Sequence, residues 1–169
     1  MLRKIFIGTM LLAAMTVGVT RAQSNTASAN ISAELSLPIS IYSGFADLHF
    51  GGFMPGASAG TVTVPANPIS PRTADGGVVL VTRYSGFAGR LLVEGNPLAT
   101  YELTLPTDPI TLNGNNSATM TLTNITTFTD TGLFSLDEFG NQYVYIGAKL
   151  SVGANQEQGG YSGEFTITA

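Results

Sequence analysis

Cysteine and tryptophan are absent from this 169-residue chain, histidine occurs once, and only 11% of the residues are charged. Without cysteine there is no disulfide framework, no thiol catalysis, no Cys-ligated zinc or iron–sulfur centre and no lipid-modified Cys. So low a charge content excludes a solvated tail or a coiled coil. The formal net charge of −4, with no basic stripe, argues against a nucleic-acid partner. Helical periodicity is missing too: no window shows a convincing 3.6-residue repeat, and a single turn near residues 133–139 is the most that is expected. After residue 20 no apolar run approaches the roughly 20 residues of a membrane-spanning helix.

What is present begins with an address. Arg3 and Lys4 precede an uncharged run of 16 residues, 5–20, and Thr20-Arg21-Ala22 places small residues at the first and third positions before Gln23. A charged start, a short apolar middle and a small-x-small end predict a secretory signal peptide over residues 1–22. Its removal leaves Arg72, Arg83, Arg90 and Lys149, four basic side chains against eleven acidic ones, so residues 23–169 carry a net charge of −7. Such a surface favours solubility and avoids polyanions.

The rest reads as strands. Residues 23–30 (QSNTASAN) are small and polar and predict a flexible leader, and a single domain is expected over 31–169. From Ile31 the alternation is strict, with Ile31, Ala33, Leu35, Leu37, Ile39 and Ile41 on one face and Ser32, Glu34, Ser36, Pro38 and Ser40 on the other. Period two over eleven residues predicts a half-buried strand, and Pro38, which has no N–H to donate, predicts an edge or a bend there. Further short apolar runs follow at 47–50, 61–64, 78–82, 91–93, 101–105, 110–112, 120–128, 143–152 and 161–167, separated by Gly, Pro, Asn and Asp. Threonine, with 21 occurrences, suits a half-solvated pleated surface. Many short strands with frequent turn signals predict an all-β antiparallel sandwich. Apolar burial alone holds it, at about 1.5–3 kcal/mol per large side chain.

Few residues carry chemistry. His49 lies between Leu48 and Phe50, pointing away from their face, and no serine sits in a G-x-S-x-G elbow, so a Ser/His/Asp mechanism lacks its parts. Asp137-Glu138, with Asp130 nearby, lacks the D-x-D-x-D-G spacing of a calcium loop. No cofactor, metal or catalytic residue is predicted, and the chain is not read as an enzyme. Tyr143, Tyr145 and Tyr161 are candidates for an aromatic platform; Tyr143 and Tyr145 are exposed if Val144 and Ile146 face the core. The alternating strand 31–41 has two readings. It pairs inside its own sheet, or it leaves to complete the sheet of the next copy, with its six apolar side chains as plugs.

Several pieces together resemble an exported bacterial family, the domain-of-unknown-function family 4402. They are Pro38-Ile39-Ser40-Ile41, Leu48-His49-Phe50-Gly51, Pro55-Gly56, Gly60-Thr61-Val62-Thr63-Val64, Phe87, Val93-Glu94-Gly95 and Tyr101-Glu102-Leu103-Thr104-Leu105-Pro106. The far end adds Ile146-Gly147-Ala148-Lys149-Leu150-Ser151-Val152, Gln156 and residues 160–168 (GYSGEFTIT). The closing strand is also similar to that of spore-coat-U-type and fimbrial subunits. That resemblance implies an immunoglobulin-like sandwich exported to the periplasm, outer surface or exterior of a Gram-negative bacterium, and it assigns no activity. The expected function is a structural, pilin-like subunit or adhesin, with further copies of itself or another surface subunit as partner. The alternative is a monomeric secreted module that binds a glycan or other ligand.

Overall fold

Alternation of Thr with Val, Leu and Ile builds the sheet, because β-branched and half-polar residues fit a pleated surface that is wet on one side. The computed structural model describes residues 32–33 and 35–169, and Leu35–Ala169 is a unit of its own. The signal peptide expected over 1–22, the leader 23–30 and Ile31 lie outside the described residues.

Nine strands follow: β1 (Ser40–Ala46), β2 (Phe53–Met54), β3 (Gly60–Val64), β4 (Thr73–Gly76), β5 (Val79–Leu80), β6 (Gly89–Glu94), β7 (Ile110–Asn113), β8 (Thr119–Phe128) and β9 (Asn141–Val152). A single 3-10 turn covers Asn115–Ser117, and the single turn expected near 133–139 forms no helix. All strand pairs are antiparallel, and the fold is an all-β curled sheet of the sandwich kind. Seven strands form one sheet, while β2 and β5 pair apart from it.

The long strand β9 organises the sheet. Its first half, Asn141–Ile146, pairs with β6, and its second half, Ala148–Val152, pairs with β3. Strand β8 runs along its other edge. Between the halves sits Gly147, where a Cβ would run into the Ala66 nitrogen and the Val64 carbonyl, so only glycine lets the chain leaving β3 cross this closely.

Strand β8 carries a bulge. Thr123 pairs with Lys149 and Thr126 with Gly147, so three steps on β8 oppose two on β9, and Asn124 takes φ 51°. The bulge exchanges faces: Met120 and Leu122 point inward before it, and Ile125 packs on the core after it.

The inner face buries one apolar cluster around Val62, Val64, Leu122, Leu150 and Val152, and a second around Val93, Tyr101, Leu136 and Val144. Arg72 ties the covering loops together by donating to the carbonyls of Phe50, Val81 (2.9 Å) and Tyr84 (2.7 Å). Burial holds its guanidinium pKa below the ordinary value.

Four expected strands differ, and one of them, residues 47–50, pairs only through a bridge from His49 to Phe87. The strand expected over 31–41 starts only at Ser40, on the sheet edge beside β6, and runs to Ala46. Pro38 has no N–H, and the Leu37 N–H donates to the Asn96 side chain at 2.9 Å, so among the described residues no ladder forms before Ser40. Residues 101–105 pair only through bridges at Thr100 and Thr104, between Pro97 and Pro106. Residues 161–167 hold to the sheet through bridges at Ser162 and Thr168.

Candidate functional site

Two surfaces stand out. The first is a cleft of about 1020 Å³ in the layer that covers the inner face. Its floor is sheet: Leu112, Met120, Leu122, Ile146 and Leu150. One wall is residues 46–51, and the other is residues 159–167. Tyr161 pins the start of the second wall. Its ring lies against Gly114, its hydroxyl donates to the Glu157 carbonyl (2.8 Å), and it accepts from the Gln156 amide (2.8 Å). Beyond the Ser162 bridge, residues 163–167 make no backbone hydrogen bond among the described residues until Thr168 bridges to Thr104. A row of unpaired N–H and C=O groups is what an added strand binds.

The alternating residues before β1 divide into two sets. Ile39 and Ile41 pack on the Val93–Tyr101–Leu136–Val144 cluster. Ala33 is exposed, Leu35 is 93% exposed, and Leu37 is 61% exposed. Leu35 and Leu37 are therefore apolar side chains in a segment that its own sheet leaves unpaired.

The second surface is the outer face of β1, β6 and β9. Register sets its rows: Ser40 opposite Glu94 opposite Asn141, then Tyr42 opposite Leu92 opposite Tyr143, then Ala46 opposite Arg90 opposite Tyr145. Phe128 follows across from Tyr145, with ring centroids 6.3 Å apart, placed there by the β8 bulge. Val144 and Ile146 are buried on the inner face, so Tyr143 and Tyr145 stand on the outer one. Tyr143 is 41% exposed with the Arg90 guanidinium 4.9 Å from its ring centre, and Tyr145 is half-buried.

Tyr161 does not join this face; it is the pin of the cleft wall. His49 stacks on Phe87 at 5.3 Å, and its Nδ1 accepts the Gly51 N–H at 3.0 Å. Asp137 accepts the N–H groups of Phe139 (2.9 Å) and Asn141 (2.8 Å), shaping the turn into β9. Among the described residues no three His, Asp or Glu side chains gather as metal ligands, and no helix is long and apolar enough to cross a membrane. Sequence reasoning missed the cleft and the polar row, because both arise from pairing between distant segments.

The family model for a domain of unknown function, DUF4402, matches residues 39–169. The chain belongs to the DUF4402 family. This DUF4402 match begins at Ile39, the first of the alternating residues that packs into the chain's own core, and it takes in the whole cleft and the outer face. Neither curated proteins nor solved structures give a match.

Proposed function

We propose that this DUF4402 chain is an exported, non-catalytic subunit of the bacterial surface, structural or adhesive, that assembles by donating its N-terminal segment to the cleft of the next copy. One observation carries the reading. Leu35 and Leu37 are exposed in an unpaired segment, while a cleft of about 1020 Å³ with an apolar floor opens beside unpaired backbone in the same molecule. A donated strand would pair with residues 163–167 and set its alternate side chains on the floor. The donor is residues 31–37, with Ile31, Ala33, Leu35 and Leu37 as plugs, since Ile39 and Ile41 already serve their own core. The export pattern of residues 1–22 and the likeness of the last strand to fimbrial subunits support the same reading.

The test is a gel of material sheared from producing cells, run with and without boiling, beside a chain lacking residues 23–37 and a Leu35→Ser/Leu37→Ser variant. A heat-sensitive ladder that both changes abolish is expected. A single monomer band from the intact chain overturns assembly, and a ladder that survives both changes overturns strand donation.

A further inference from the structure

The outer face holds a concavity apart from the cleft. It is shallow and open, about 390 Å³, within the usual range of small-molecule sites (roughly 300–1,000 Å³); Ser40, Tyr42, Glu94, Phe139 and Asn141 line it, with Leu37 and Pro38 on the rim. We infer that this concavity binds a neutral, polyhydroxylated sugar, as part of an oligosaccharide that continues over Tyr143. The pyranose ring has an apolar C–H face and a rim of hydroxyls, and this site offers a partner for each.

Tyr42 is 47% exposed and Phe139 76% exposed, so both present ring surface to water that a stacked sugar would cover. Between them lies the polar row. Glu94 is half-buried, its carboxylate makes no hydrogen bond or ion pair among the described residues, and its cross-strand neighbours are the neutral Ser40 and Asn141. An ionised carboxylate is an acceptor only, so it selects a ligand rich in donors, as vicinal hydroxyls are. It also repels anionic sugars, as does the acidic surface as a whole. The nearest cation along β6 is Arg90, four residues away and so roughly 13 Å along the strand, engaged with Tyr143.

The rim is preset. Asp137 holds the N–H groups of Phe139 and Asn141, and the Asn141 side-chain amide donates to the Phe139 carbonyl at 3.3 Å. Tyr143, one row along and 41% exposed, extends the apolar surface for a second sugar unit. The polar row and both rings belong to β1, β6 and residues 139–141, whereas Leu37 on the rim belongs to the donor segment, so donation would open that side of the site.

Amide resonances of the full chain, followed by NMR during titration with cellohexaose, maltohexaose, chitohexaose and hexagalacturonate, test it. A neutral hexaose is expected to shift residues 40–42, 94 and 139–141. Phe139→Ala, at a position 76% exposed, should weaken that binding roughly fivefold to tenfold, the loss typical of a truncated aromatic anchor. Glu94→Gln should weaken it as well. The proposal fails if no neutral hexaose shifts these amides, or if Phe139→Ala binds as the parent does. Equal or tighter binding of hexagalacturonate overturns the neutral-sugar specificity.

Discussion

Tyr101 is a single side chain on which packing and ionisation meet. It is buried in the second cluster against Phe134, with ring centroids 5.6 Å apart, and its hydroxyl donates to the Gln142 side chain at 2.5 Å. Burial pushes its pKa up from 10.0 to about 12. Because the folded state resists forming the phenolate, Tyr101 contributes stability that is complete below the unfolded value near pH 10. That contribution is lost as pH rises through about 12. The urea midpoint of the wild type should therefore fall more steeply between pH 10 and 12 than that of Tyr101→Phe, which cannot ionise. At neutral pH the same substitution should cost about 0.5–1.5 kcal/mol, one neutral hydrogen bond. Parallel pH profiles for the two proteins would contradict this account.

Among the elements, the bulge in β8 decides most. Strict alternation from Met120 would carry Thr126 and Phe128 to the inner face, but the extra residue at Asn124 turns Ile125 inward and Phe128 outward beside Tyr145. Asn tolerates the left-handed conformation at φ 51°, and a β-branched residue does not. Asn124→Gly should leave stability nearly unchanged, whereas Asn124→Val should destabilise by about 1–2 kcal/mol, as chemical denaturation can measure. The strands β3, β6, β7, β8 and β9 were legible because each is a short apolar or alternating run bounded by Gly, Pro or Asn. The strand expected over 31–41 was not, because its apolar period is faultless, whereas its partner β6 ends at Glu94 opposite Ser40, Pro38 offers no backbone donor and Asn96 takes the Leu37 N–H.

For the whole molecule, charge and topology act together. Residues 23–169 carry a net charge of −7, so two copies brought together repel one another. Salt screens that repulsion, with a Debye length near 10 Å at 0.1 M. On the strand-donation reading, purified chain should therefore form its multimer ladder faster in 0.3 M than in 0.03 M sodium chloride. Light scattering that shows slower assembly at the higher salt would mean attraction between opposite charges, rather than apolar insertion, drives the contact.

By itself the sequence determined the fold class, the absence of thiol chemistry and the presence of an apolar alternating segment, since each is a local property of composition or period. Only the tertiary structure decided which half of that segment is anchored, because the packing of Ile39 and Ile41 depends on Val93 and Leu136, far along the chain. It also opened the cleft between residues 46–51 and 159–167 and lined Ser40 up with Glu94 and Asn141. Register between strands joins residues about fifty apart, and no periodicity within one strand encodes it.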